Sequence, residues 1–219
     1  MRTAIYALLI LALTATLGAA QQPSQTGFWQ GKLQTYAFNF FGVVDPSAWP
    51  REGLVQRMDY DLYQNPSGLA REELTNLTRT KLMTNLGYPY NIRILDYPHN
   101  HGVVFVERGQ DGAEGPWVPV PGVALPQPRT ILGFRCEGKR YRWTTFQKAT
   151  VELDTWTAQD SSLRVPLLEV KYVTESRWSL LGVDVVMVTE LEPVSSLPAS
   201  LFEVPEGVRP THVESVWGL

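Results

Sequence analysis

The sequence has little of the side-chain chemistry on which many exported or catalytic domains depend. Cys136 is the only cysteine, and 219 residues contain only three histidines. A lone cysteine excludes an intrachain disulfide, so we expect the chain to be stabilised by packing rather than by cross-links. The net charge of −3 provides no excess of basic residues. We therefore expect no nucleic-acid partner.

The chain also lacks recognisable catalytic and cofactor motifs. It has no Gly-x-Ser-x-Gly elbow, no phosphate-binding loop and no Gly-x-Gly-x-x-Gly fingerprint. The weak metal candidate is the pair His99 and His101, because alternate residues of an extended segment share a face and can reach one ion. The segment is more typical of a polar turn, and no third histidine lies nearby. We predict no metal, no cofactor and no enzymatic activity.

Residues 1–20 have the pattern of a secretory signal peptide. Arg2 precedes an apolar run, and the small residues Gly18 and Ala20 stand at a spacing that signal peptidases accept. No cysteine follows the predicted cleavage site, so no lipid attachment is expected there. An uncleaved anchor is the alternative. We expect a periplasmic or secreted protein with no membrane span after signal cleavage, since no later apolar run has that length.

Hydrophobic alternation with a period of two predicts β-strands along most of the chain. It predicts a strand over 54–63, followed by an Asn-Pro-Ser-Gly turn. The spacing in 69–86 fits either a helix or a strand, and its threonines favour a strand through about Thr78. The stretch 130–146 is predicted to form one long strand with a bulge at Gly133 or Gly138.

Five prolines within 115–128 predict an extended segment that cannot lie inside a sheet. Its apolar residues indicate a crossing between two parts of one fold rather than a linker. Residues 21–219 are therefore predicted to form a single β-rich domain. The predicted fold class is mainly β: a strongly curved antiparallel sheet, or open half-barrel, with few short helices.

Two stretches carry a resemblance to known proteins. They are RTILGF at 129–134 and SLPASLFEVP at 196–205, with Glu192-Pro193 before the second. Together they resemble a group of exported bacterial proteins that have no assigned activity. More loosely, the series of strands closed by an SLF-type tail resembles the outer-membrane lipoprotein-carrier superfamily. That resemblance implies an open half-barrel whose concave apolar face takes acyl chains, and it transfers no catalytic residue.

The SLF-type tail also has a physical interpretation. Its proline and small residues suit a single tight helical turn that presents apolar side chains as a plug over one end of the sheet, and a final proline stops further pairing. The predicted structural plug consists of Leu201, Phe202, Val204 and Pro205.

The surplus of aromatic residues has two interpretations, a filled core or the lining of a concave apolar surface. The candidate ligand-binding residues are Trp143, Trp156, Trp178, Phe38 and Phe40. The expected function is non-enzymatic binding of a lipid or acyl chain in the concave face. One alternative is an envelope interaction or scaffold module, with an envelope protein as partner. A hydrolase of envelope or extracellular polymers is another, and a pocket carboxylate with a strongly raised pKa would favour it.

Overall fold

Twelve β-strands and one short 3₁₀ turn make up the described part of the chain. The computed structural model describes residues 27–41, 54–79, 91–99, 101–105, 122–144, 149–159, 162–175, 180–204, 206 and 211–213. The strands are β1 (Phe28–Phe41), β2 (Leu54–Gln64), β3 (Leu69–Arg79), β4 (Ile92–Asp96), β5 (His101–Phe105), β6 (Val123–Ala124), β7 (Arg129–Ile131), β8 (Phe134–Thr144), β9 (Thr150–Ala158), β10 (Leu168–Glu175), β11 (Leu180–Val194) and β12 (Thr211–Val213), and the 3₁₀ turn is Ala199–Phe202.

All twelve strands belong to one antiparallel sheet. Its order is β12-β5-β4-β3-β2-β1-β11-β10-β9-β8-β6, and β7 pairs with β8. The long strands β1 and β11 pair over their whole lengths at the centre of the sheet. No helix in the described ranges is long and apolar enough to cross a membrane. The predicted fold class, a mainly β protein built on a curved open sheet, is confirmed.

Contacts between distant strands show how strongly the sheet curves. Four strand-to-strand steps separate β1 from β8, which is about 19 Å in a flat sheet. The rings of Trp29 on β1 and Phe134 on β8 nevertheless meet edge-to-face with their centroids 5.6 Å apart. Their contact joins the two halves of the sheet in one hydrophobic core.

The hairpin of β2 and β3 forms as the sequence predicts. Its turn contains Gly68 at φ 87°, a left-handed conformation that glycine adopts without strain. The side-chain Oδ1 of Asn65 accepts a hydrogen bond from the Leu69 amide at 3.0 Å. Strand β3 extends to Arg79, so the preference for a strand over a helix is confirmed as far as that residue.

The predicted single strand over 130–146 is wrong. The chain reverses between β7 and β8, where Leu132 and Gly133 have φ values of 49° and 82°. Two successive left-handed residues form a tight hairpin turn rather than a bulge, so Ile131 pairs with Phe134. The sequence signal for this turn was the single glycine, and its left-handed neighbour is a leucine, which rarely adopts that conformation.

The proline-rich crossing and the tail are described only in part. In the crossing, β6 pairs with β8 through two residues at the edge of the sheet, and 115–121 lie outside the described residues. The predicted signal peptide, Trp178 and Pro205 also lie outside them, as do the side chains of Phe40 and His101.

One end of the curved sheet is closed by the segment 162–167, which we call the cap. The indole Nε1 of Trp29 donates to Ser162 Oγ at 3.1 Å. The fully buried Gln64 donates to the Ser162 carbonyl at 3.0 Å. Its Oε1 accepts from the amides of Arg164 at 2.6 Å and Val165 at 3.1 Å. One buried amide side chain therefore binds three backbone groups of the cap.

We predict that Gln64→Ala lowers the free energy of unfolding by about 3 kcal/mol, because it removes these three bonds and leaves the buried Val165 amide unpaired. The measurement is urea unfolding. The matched control is Gln30→Ala, an exposed glutamine on β1, which should change stability by less than about 0.5 kcal/mol. Equal effects of the two substitutions would contradict this function of Gln64.

Candidate functional site

Strand register assigns the side chains near the middle of the sheet to two faces. We call the face that carries Glu72 and Glu169 the inner face. On one side Arg93 pairs with Glu72, which pairs with Leu62. On the other, Glu169 pairs with Val186, which pairs with Thr35. Because β1 and β2 are regular between these rows, both rows lie on the same face.

Curvature brings the two sides of the inner face together. Five strand-to-strand steps separate β4 from β10, about 24 Å in a flat sheet. The charge of Arg93 on β4 nevertheless lowers the pKa of Glu169 on β10, and the charge of Glu72 raises it. The inner face is therefore concave, with these three charged side chains facing one another across it.

A buried ion pair forms one wall of this concave face. Arg93 Nη2 contacts Glu72 Oε2, and their side chains are 10% and 1% exposed. The Arg93 guanidinium also lies 4.9 Å from the centroid of the Tyr60 ring, a cation–π arrangement. Tyr97 donates its hydroxyl to Glu72 Oε1 at 3.3 Å. Burial lowers the pKa of Arg93, but the charges of Glu72, Tyr60, Tyr97 and Glu169 together outweigh burial and raise it, so Arg93 stays charged.

Glu169 is the unusual group of the site. Its Oε1 is shielded from solvent and has no hydrogen-bond partner among the described residues. Burial first, and then the charge of Glu72, raise the pKa of Glu169 to about 7 despite the opposing effects of Arg93 and Lys171. At neutral pH this carboxyl group is therefore poised between its neutral and charged forms.

The inner face becomes less polar away from the cap. Tyr141 and Trp143 on β8 lie on this face, since they pair with the buried Leu153 and Val151. Val173 on β10 also pairs with Val151. Tyr141, Trp143 and Val173 are all partly exposed. Burial and the charge of Glu169 both raise the pKa of Tyr141, so the apolar part of the face adjoins the charged part.

The structure divides the predicted aromatic lining between the two faces. Trp156 and Phe38 are each 3% exposed. They lie on the face opposite Glu169, because they pair with Leu168 and Val183. There Arg129 lies 4.2 Å from the centroid of the Trp156 ring. Among the predicted lining residues whose side chains are described, Trp143 is therefore the one on the inner face, and Trp156 and Phe38 are core residues.

The predicted plug lies against an interior strand of the sheet. Ala199–Phe202 is a 3₁₀ turn, and Arg71 on β3 donates to the Leu201 carbonyl at 3.1 Å. Leu201 and Phe202 are half-buried, and Val204 is 40% exposed. The described residues of the tail therefore pack on β3, rather than covering an edge strand.

The remaining candidates show ordinary structural environments. His99 Nδ1 lies 2.9 Å from both carboxylate oxygens of Asp96, on an exposed turn. In the described ranges, no group of three His, Cys, Asp or Glu side chains is placed to hold a metal ion. Cys136 is buried, and burial raises its pKa to about 11, which keeps the thiol protonated and unreactive.

Sequence reasoning did not identify Glu72, Arg93 and Glu169. One signal was present: Glu72 occupies the inward phase of an alternating strand, between Ala70 and Leu74, where an apolar residue is expected. A carboxylate at such a position indicates a buried partner. The identity of that partner depends on the pairing of β3 with β4, and the approach of Glu169 depends on the curvature of the sheet.

Comparisons with known proteins were made of the whole chain. No family model and no curated protein matches it. It is similar to a solved structure titled "Lipid-protein interactions in lipovitellin", with 8% sequence identity and a TM-score of 0.34 over 86% of this chain. The chain spans 28% of the length of that structure. A similarity of this size carries no argument about function.

The raised pKa of Glu169 predicts a pH dependence of stability. Between its ordinary value of 4.5 and about 7, the folded protein keeps a proton that the unfolded chain has lost. Stability contributed by this group therefore falls as pH rises through that window, by about 3 kcal/mol in total. Glu169→Gln, which imitates the protonated form, should match the wild type near pH 4.5 and be more stable at pH 8.

The measurement is urea unfolding of both proteins across this pH range. Glu137→Gln, at an exposed position on β8, is the control and should follow the wild type throughout. A constant difference between Glu169→Gln and the wild type from pH 4.5 to 8 would show that Glu169 does not titrate in this window.

Arg93→Ala should destabilise the protein by about 3–5 kcal/mol, because Glu72 would be left as a buried charge without its partner. Replacing both residues, as in Arg93→Met with Glu72→Leu, should recover much of this loss. Arg57→Ala is the control, since its ion pair with Asp59 is partly exposed, and it should cost less than about 1 kcal/mol. Thermal or urea unfolding measures all three variants, and additive losses in the double variant would contradict the pairing.

Proposed function

We propose that this is an exported, non-enzymatic protein that binds an apolar ligand, such as a lipid or acyl chain, against the inner face of its curved sheet. One observation carries the proposal. The inner face is concave and adjoins the cap at one end, while Tyr141, Trp143 and Val173 leave partly exposed apolar surface away from it. Burying such surface against a ligand contributes about 25 cal/mol per Å².

Export is part of the same proposal. The signal-peptide pattern of residues 1–20 supports it. The described chain contains one cysteine, Cys136, which is buried as a thiol. Protein purified from its own compartment and analysed by native mass spectrometry should carry a lipid and should begin after the signal peptide. Recovery of a protein partner without lipid would favour the interaction-module alternative.

A hydrolase is the second candidate, and Glu169 is the observation that favours it. A carboxyl group with a pKa near 7 suits a general acid, and Glu72 faces Glu169 as a second carboxylate. We rank this function below ligand binding because Glu72 is engaged by Arg93 and is not free to act as the second carboxylate. Turnover of polysaccharide or peptide substrates that Glu169→Gln abolishes would reverse the ranking.

Ligand binding can be tested by adding bulk and charge to the inner face. We predict that Val173→Arg abolishes binding of an uncharged polarity-sensitive dye, N-phenyl-1-naphthylamine, to the folded protein. The control is Val123→Arg, at a valine on the edge strand β6 that is 70% exposed, and it should bind the dye as the wild type does. Fluorescence titration measures both, and a thermal melt shows that each variant is folded. Equal dye binding by the two variants would overturn the proposed site.

A further inference from the structure

Both cations that act on Glu169 already have another carboxylate as partner. Arg93 forms an ion pair with Glu72 and a cation–π contact with the Tyr60 ring. Lys171, the other cation that acts on Glu169, contacts Asp184 Oδ2 at 2.9 Å. Glu169 therefore has a shielded oxygen, Oε1, with no donor among the described residues. A buried acceptor in this condition calls for an explanation, because most such groups in proteins are hydrogen-bonded.

We propose that Glu169 binds the cationic, hydrogen-bond-donating head group of an amphiphile whose apolar chain lies along Tyr141, Trp143 and Val173. The inference rests on the proposed function, since it specifies the polar end of the same ligand. The class of ligand is a single-chain primary ammonium amphiphile. Its ammonium group would supply the donors that Glu169 lacks.

Charge complementarity decides between a cationic and an anionic head group. With Glu72, Glu169 and Arg93 ionised, the cluster carries a net charge of −1. A fatty-acid carboxylate would add a further negative charge beside two cations, Arg93 and Lys171, that already have carboxylate partners. An ammonium group instead neutralises the cluster, and the Tyr60, Tyr97 and Tyr141 rings around it are compatible with a cation.

The arrangement of the inner face also matches the two ends of such a ligand. Glu169 is the second residue of β10, and Val173 lies four residues further along the same face. At about 3.4 Å per residue, that separation is about 14 Å, close to the length of a chain of about ten to twelve methylene groups. A head group at Glu169 would place the chain along the partly exposed apolar residues.

A proton competes with the cation for Glu169, so binding should depend on pH. The titratable and charged groups that act on Glu169 are Glu72 on β3, Arg93 on β4, Lys171 on β10, Tyr97 after β4 and Tyr141 on β8. Affinity for an alkylammonium should therefore fall about tenfold per pH unit below pH 7, and affinity for an alkanol should not.

The experiment compares three probes of equal chain length: dodecylammonium, dodecanol and dodecanoate. Each displaces N-phenyl-1-naphthylamine from the full-length mature protein, below its critical micelle concentration, at pH 6 and pH 8. We expect dodecylammonium to bind about tenfold or more tightly than dodecanoate at pH 8. Glu169→Gln should remove this preference and its pH dependence while dodecanol binding stays unchanged. Glu137→Gln is the control and should retain both.

The outcomes separate the inference from the proposed function. If all three probes displace the dye equally in wild type and in Glu169→Gln, the head-group inference is wrong and apolar ligand binding stands. If neither the dye nor dodecanol binds the folded wild type, both proposals are overturned. The pH comparison on the wild type needs no substitution, so it decides the question even if Glu169→Gln were to fold poorly.

Discussion

The structure depends on keeping one buried arginine matched to a carboxylate inside a sheet that curls over both. Arg93 and Glu72 lie side by side on neighbouring strands, at buried positions where apolar residues are expected. Taking these charges out of water is costly, and their contact, the Tyr60 ring and the Tyr97 hydroxyl together offset that cost. The concave face can therefore be polar at its centre and still be excluded from solvent.

This polar centre changes what the concave face can bind. A purely apolar hollow would accept any chain that fits, whereas a hollow with a buried carboxyl imposes a requirement on one end of its ligand. Desolvation raises the pKa of Glu169, and the same desolvation makes a hydrogen-bond donor from a ligand favourable at its carboxyl group. Trp156 and Phe38 contribute to the fold from the other face, as part of the core that holds the curvature.

The sequence predicts a strand well where apolar and polar residues alternate clearly, as for β2, and less clearly for β3, where the spacing also fits a helix. The sequence does not predict the turn at Leu132-Gly133, because leucine rarely adopts a left-handed conformation unless the surrounding packing stabilises it. It also cannot assign aromatic residues to a face across a curved sheet: Trp143 and Trp156 both lie in alternating strands, yet they lie on opposite sides. Glu72 is a charged residue at an inward position of β3, which the sequence shows. Its partner, Arg93, is 21 residues away in the chain and becomes a neighbour only through the pairing of β3 with β4.

The protonation of Glu169 is the most direct measure of the central claim, that two sides of the sheet face each other across a buried, charged centre. Carbon-detected NMR titration of the glutamate side chains in the folded protein, assigned with Glu169→Gln, reports it site by site. The structure predicts that the Glu169 carboxyl titrates near pH 7. A midpoint near 4.3, the ordinary value for a glutamate in water, would show that Glu169 is in contact with water and that the concave face is not built as described.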